Sequence, residues 1–215
     1  MFTTNKHKKY WAERKIDWDK SYLSGIDPAS GQPMWNHPHR EMLAQALSTI
    51  PWVSLWEVGC GAGANFMKFL HHFRGKQFNG SDINPDAIAF CNKTFNGGRF
   101  RVESAEDLLM SDNSVDVILS DATLLYVGPE KIKHVLREMY RVARNHILLC
   151  ELHEPNLWKR WLYRFSRGYN VYDYRKLLEE LGAYDIQIRK IPKEMWPGDP
   201  WARFGHIILA KLPKK

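Results

Sequence analysis

The sequence predicts an α/β fold: a doubly wound sheet of about seven strands, mainly parallel with an antiparallel last strand, under a helical and aromatic cover. Three observations predict it. From about residue 51 a short apolar run, a Gly or Asp turn and a helical pattern follow one another repeatedly, as in βαβ units. The run HILLCEL is apolar throughout, as a parallel strand covered on both faces should be. The glycine-rich turn EVGCGAG joins a strand to a helix. In order, WVSLWEV is the first strand and NFMKFLHHF its helix. QFNGSDI ends near Asp82, and a helix runs from Asn84 or Pro85 to about Phe95, because proline suits a first helical turn. RFRVESA and VDVILSDA are the third and fourth strands, EKIKHVLREMYRVAR a helix, and HILLCEL the fifth strand. YDYRKLLEELG is a helix closing at Gly182. YDIQIRKI and FGHIILAKL make a terminal antiparallel pair, joined by a loop rich in Pro, Gly and Trp.

A chain of 215 residues fits one domain with extensions: an N-terminal helical cover over 1–48, and a core over 49–215 with a cover insertion at about 153–172. Hydrophobic residues make up 44% and charged residues 26%, which argues against disorder, collagen-like repeats and coiled coil. No stretch approaches the ~18 apolar residues of a membrane span. The opening MFTTNKHKKYW is polar where a signal peptide is apolar, so the expected compartment is the cytoplasm, with no membrane partner. Cys60, Cys91 and Cys150 lack CxxC spacing and read as reduced core thiols. The net charge of +7 is uneven. Lys6, Lys8, Lys9, Arg14 and Lys15 crowd the start, six cations from Lys159 to Lys176 oppose only Asp173, and Lys211, Lys214 and Lys215 close the chain. The basic character belongs to appendages that either meet an anionic partner or are simply solvated, as expected for the tail.

The glycines of EVGCGAG let the backbone turn tightly and approach a ligand at a helix N-terminus. GCGAGA also satisfies the GxGxxA dinucleotide fingerprint, so NAD binding and an oxidoreductase are one reading. Asp82, 19 residues after Gly63, suits the two ribose hydroxyls of any nucleoside ligand. The loop and the acid together support a nucleoside without naming it.

Five motifs in register, EVGCGAGANF, GSDINPDAI, VESAEDLLMSDNSVDVILSDATLLYV, REMYRVAR and HILLCEL, extend the pattern over roughly residues 51–151. The chain resembles the class I S-adenosylmethionine-dependent methyltransferases, Rossmann-like enzymes of the broad small-molecule type (type 11-like). The resemblance implies S-adenosylmethionine as cofactor and S-adenosylhomocysteine as product. It implies that Glu57, Gly59, Cys60, Gly61 and Gly63 form the loop behind the methionine part, and that Asp82 holds the ribose with Ile83 packing on adenine. Ser104, Ala105 and Glu106 flank adenine, and Asp121 falls where cofactor and acceptor meet. The chain departs from the pattern at Ser104, usually acidic, at Leu109 and Met110, usually Pro-Phe, and at Arg144, Asn145 and His146, usually a Pro-Gly-Gly turn. Leu125 and Tyr126 stand where relatives often carry paired histidines, which leaves the catalyst unassigned.

Methyl transfer needs an aligned acceptor and, for many acceptors, a base. At the strand ends, Asp121, Tyr126 and His153 are the catalytic candidates, and Glu151 lies two residues before His153, on the same face if the strand persists. Each has a plainer alternative: a structural carboxylate for Asp121 and Glu151, a pocket wall for Tyr126, a surface loop for His153. Tyr10, Trp11, Tyr22, Trp35, His37, Tyr126, Glu151 and His153 are the expected substrate contacts. His37 and His39 in WNHPHR lack ligand-spaced partners, so they read as lid or substrate contacts and no metal is expected. The aromatic and basic residues of 153–172 either close a pocket over a small or medium organic acceptor, the favoured reading, or stack RNA bases, which would suit an RNA-directed methyltransferase or a non-catalytic RNA-associated protein.

Overall fold

A computed structural model describes residues 4–28 and 31–213; of the features above, Lys214, Lys215 and the first three residues lie outside them. The strands β1 (Ser54–Val58), β2 (Gln77–Asp82), β3 (Phe100–Val102), β4 (Val115–Asp121), β5 (Ala143–Leu152), β6 (Tyr184–Lys190) and β7 (Gly205–Lys211) form one sheet in the order β3-β2-β1-β4-β5-β7-β6. The first five pair in parallel, and β7 runs antiparallel between β5 and β6. This is the expected seven-stranded, Rossmann-like arrangement. The chain reverses its direction of travel between β1 and β4, which opens a crevice at the carboxyl ends of those strands.

Side-chain alternation divides the core between the two faces of the sheet. Leu55, Val117, Leu119 and Leu148 face one way, towards Phe66 and Phe69 of α4 (Ala64–His72). Trp56, Ile118, Ile147 and Leu149 face the other way, where α6 (Ile132–Val142) buries Ile132, Val135, Leu136, Met139 and Val142 at helical spacing. Between β2 and β3, α5 (Pro85–Thr94) starts where expected: Pro85 opens it and the Asn84 side chain accepts from the amides of Asp86 and Ala87.

Ahead of the sheet lie α1 (Thr4–Glu13), α2 (Trp18–Tyr22) and α3 (His39–Ser48). The last of these is more than a cover, since Leu43 and Leu47 are fully buried in the same cluster as Leu55 and Phe66. After β5 come α7 (Leu157–Arg167) and α8 (Tyr174–Glu179), and α9 (Trp201–Phe204) leads into β7.

Three boundaries differ from expectation. The helix before β5 stops at Val142 and the strand begins at once, because Ala143 pairs with Val115 and Arg144 Nη1 grips Asp116 Oδ1 at 2.6 Å. Arg144, Asn145 and His146 therefore belong to the strand and form no turn. β3 is shorter than RFRVESA because Ser104 and Asp107 bridge into a turn. α8 starts at Tyr174 because Asp173 caps it, accepting from the Lys176 amide.

Candidate functional site

The crevice holds a cavity of about 480 Å³. Of the residues expected to bind cofactor, Glu57, Gly59, Cys60, Gly61, Asp82, Ile83, Ser104, Ala105, Glu106 and Asp121 line it. Trp11, Tyr22, His37 and Tyr126, expected as substrate contacts, line it as well. Five expected residues lie elsewhere.

Gly63 sits behind the wall as the N-cap of α4 at φ 77°, and a Cβ there would meet the Phe95 ring at 2.4 Å. Its absence of a side chain serves helix packing. Glu151 is wholly buried away from the cavity, where it accepts from Ser120 Oγ and the amides of Thr123 and Leu124 at 2.8–2.9 Å. Burial raises its pKa to about 7 against the pull of those three donors. It organises the turn after β4. His153 is buried beside His206 and takes the Tyr174 amide on Nδ1 at 3.2 Å; β5 ends one residue before it, at Leu152, and this end is covered by β7 and by a bridge from His153 to Tyr172. Tyr10 is 58% exposed, and Trp35 stacks on His71 outside the cavity. The predicted lid over 153–172 also divides: Tyr163 and Tyr172 are buried and Tyr169 packs on Tyr126, whereas Trp158, Trp161 and Phe165 face solvent.

At one end of the cavity the β1 and β2 ends are tied together. The Gly61 amide donates to Asp82 Oδ2 and the Asn84 amide to Asp82 Oδ1, both at 2.9 Å. Gly59 has φ 76°, and a Cβ would strike Thr123 Oγ1 at 2.1 Å, so the loop glycine is fixed by conformation and by its neighbour after β4. Deeper in, Asn65 Nδ2 bridges Glu57 Oε1 at 2.7 Å and Asp121 Oδ2 at 3.0 Å. Glu57 Oε2 and Asp121 Oδ1 remain buried without a partner, and so does Nε of Arg40, whose Nη1 donates to the Met34 carbonyl. Glu57, Asp121 and Arg40 all line the cavity, and two carboxylate oxygens and a guanidinium NH left unpartnered among them fit a ligand that carries an ammonium and a carboxylate together. With Asp82 presented for ribose hydroxyls, these donors and acceptors fit an adenosyl amino acid.

At the other end three side chains form a chain of hydrogen bonds. His39 Nε2 lies 2.9 Å from Asp121 Oδ2, and His39 Nδ1 lies 2.6 Å from His37 Nδ1. Burial alone would raise the Asp121 pKa, but His39, Arg40 and Asn65 more than offset it and hold the carboxylate ionised, below its usual range. An ionised carboxylate only accepts, so His39 Nε2 carries the proton; burial lowers the His39 pKa, and in the neutral ring Nδ1 accepts from His37 Nδ1–H, which leaves His37 Nε2 as a bare lone pair. Burial, with the neighbouring His39 and Arg40, lowers His37 to a pKa of about 4, so its ring is neutral near pH 7. Trp196 stacks on His39 at 4.2 Å and on Trp201 at 3.9 Å, completing this wall.

The sequence alone leaves Arg40, Asn65, Trp196 and Trp201 unassigned and reads His39 as a lid or substrate contact. Asn65 follows the glycine loop directly and its position was a usable signal. The two tryptophans sat in a stretch that read only as a strand connection.

Residues 56–149 match the methyltransferase-domain family model. A fatty-acid O-methyltransferase of Mycolicibacterium smegmatis is 34% identical over 91 residues, which is 41% of this chain and 32% of that protein, so the match spans about a third of the relative. Among solved structures, magnesium protoporphyrin IX methyltransferase from Synechocystis with bound S-adenosylmethionine superposes with a TM-score of 0.69 at 13% identity, over 99% of this chain and 98% of that one. Human N-acetylserotonin methyltransferase superposes at 0.62 with 18% identity, over 82% and 52%.

Proposed function

We propose that this chain, whose fold is that of the class I S-adenosylmethionine-dependent methyltransferases, moves a methyl group from that cofactor to an O–H or N–H group on a small or medium apolar organic acceptor, with His37 as the base. The observation that carries this reading is the hydrogen-bonded chain from Asp121 through His39 to His37, beginning beside the polar cradle of Glu57, Asn65 and Arg40. Asp121 belongs to both halves of the cavity.

Bound S-adenosylmethionine supplies an electrophilic methyl group on a cationic sulfur. Glu57 and Asp121 would hold its amino group, Arg40 its carboxylate and Asp82 its ribose, with Ile83 and Ala105 against adenine. His37 Nε2 takes the acceptor's proton as the methyl bond forms, and His39 with ionised Asp121 stabilises the imidazolium that results. Trp11, Trp18, Tyr22, Tyr126 and Trp196 surround the space with rings, which suits an apolar acceptor body and keeps water out. The curated relative named for fatty acids supports the apolar body. A base supports a hydroxyl, phenol or amine, since a carboxylate arrives without the proton.

The test is incorporation of radiolabelled methyl into a panel of apolar phenols, alcohols, amines and acids. Label in at least one protonated acceptor, lost in His37→Ala, is expected; label only in carboxylic acids, indifferent to His37, would overturn the role of the base.

A further inference from the structure

The helix α7 carries its apolar face outward. Leu157, Trp158, Trp161, Leu162 and Phe165 are 67%, 78%, 59%, 61% and 72% exposed. At 100° per residue these five span an arc of about 140°. The one buried side chain of the helix, Tyr163, falls on the opposite side, where its ring meets Phe204 at 4.9 Å. An ordinary surface helix is built the other way round, as α6 is, with every apolar residue of its stripe buried against the sheet. The helix LWKRWLYRFSR has four cations and no acid. Lys159 and Arg164 are exposed and border the apolar arc on its two sides, with Arg160 and Arg167 behind Arg164.

We infer that α7 lies on the surface of an anionic lipid bilayer, with Trp158, Trp161 and Phe165 in the headgroup boundary and the lysine and arginines against acidic headgroups. The chemistry of the face selects this occupant. Tryptophan is the side chain most suited to the water–hydrocarbon boundary, and an amphipathic helix with basic flanks binds there by apolar burial plus charge attraction. The rings of Trp158, Trp161 and Phe165 lie within the exposed arc of a single helix, as in a helix that lies flat on a surface. A second copy would set its four cations against four more. No described helix is long and apolar enough to cross a membrane, but length is the requirement for spanning, and a helix lying flat needs only the outward apolar face. The expectation of no membrane partner rests on span length and the polar opening of the chain, neither of which bears on a helix lying flat. The helix also rests on a cluster of Leu125, Leu152, Tyr163 and Phe204 that packs against Tyr126 and Trp201 of the cavity wall, so the bilayer would lie beside the acceptor end.

Flotation of the full chain with phosphatidylcholine vesicles, with and without about 30% phosphatidylserine, tests this. Co-flotation with the anionic vesicles is expected, at least tenfold stronger than with phosphatidylcholine alone and weakened several-fold by high salt. Trp158→Ser with Trp161→Ser should cut binding tenfold or more, and Lys159→Glu with Arg164→Glu should remove the preference for phosphatidylserine, while both variants keep wild-type circular dichroism and S-adenosylhomocysteine affinity. Equal partitioning of wild type and the tryptophan variant would overturn the inference. So would a dimer in sedimentation that those tryptophans hold together without lipid, or single-stranded RNA that binds the same face and competes with vesicles.

Discussion

The two ends of the cavity are built differently. The adenosyl end is made largely by segments that follow the strands directly, the turn after β1, the last residue of β2 and the turn after β3, with Asn65 of α4 and Arg40 of α3 added at its inner side. Its key contacts are short-range in the fold and largely backbone-fixed, as where Gly61 donates to Asp82. The acceptor end is assembled from α1, the segment leading into α3, the turn after β4 and the Trp196–Trp201 stretch, which meet only once the sheet is complete. One end is set by local chain geometry and the other by tertiary packing, so substitutions should separate binding of the cofactor from turnover of the acceptor.

The largest effect should come from the acceptor end. His37→Ala is expected to lower kcat by about 10²–10⁴-fold, the usual contribution of a positioned base. S-adenosylhomocysteine affinity, read by calorimetry, should stay within about twofold, well under 1 kcal/mol. A joint loss of binding and turnover would merge the two ends. The next effects belong to the adenosyl end. Asp82→Ala should weaken S-adenosylhomocysteine by about 1–3 kcal/mol through lost charge-assisted hydrogen bonds. Because Asp82 also holds the Gly61 amide, ligand-free melting must be compared alongside. Arg40→Leu should weaken S-adenosylhomocysteine by about 1.5–3 kcal/mol yet leave methylthioadenosine, which lacks the carboxylate, unchanged. Equal losses for both ligands would remove Arg40 from the amino-acid end.

Outside the cavity, His153→Ala should cost stability of about 1–3 kcal/mol by orphaning the Tyr174 amide, with kcat retained. The last contrast is in pH. His37 and His153 both have folded pKa values of about 4, below the ordinary 6.5. The unfolded chain therefore binds more protons at these two histidines between those values, so their contribution to stability should fall as pH drops from about 6.5 to about 4, whereas Glu151, raised to about 7, contributes in the opposite sense between about 7 and 4.5. Over the same window kcat/KM should hold steady until pH approaches 4, because the base is already neutral; a midpoint near 6.5 would place the base elsewhere.

The same contrast explains how much could be read from the sequence. The strand rhythm, the glycine turn and Asp82 are local signals, and the structure brings those residues to one crevice. His39 and Asp121 are 82 residues apart, and no periodicity links them. Glu151 and His153 were placed by alternation along β5, which fixes a face but says nothing of what covers it; β7 and the turn at Thr123 do. The aromatic run at 153–172 showed helical spacing without showing which side met the protein, and the side with Tyr163 did so. Trp196 and Trp201 were hidden in a connection whose course depends on β6 and β7 being paired first.

The most direct test of the central claim is a calorimetric titration of the purified full chain with S-adenosylhomocysteine and, separately, with NADH. One saturable site for the first ligand and no heat with the second is the predicted result; silence with S-adenosylhomocysteine and with S-adenosylmethionine, or a site that takes NADH instead, would contradict it.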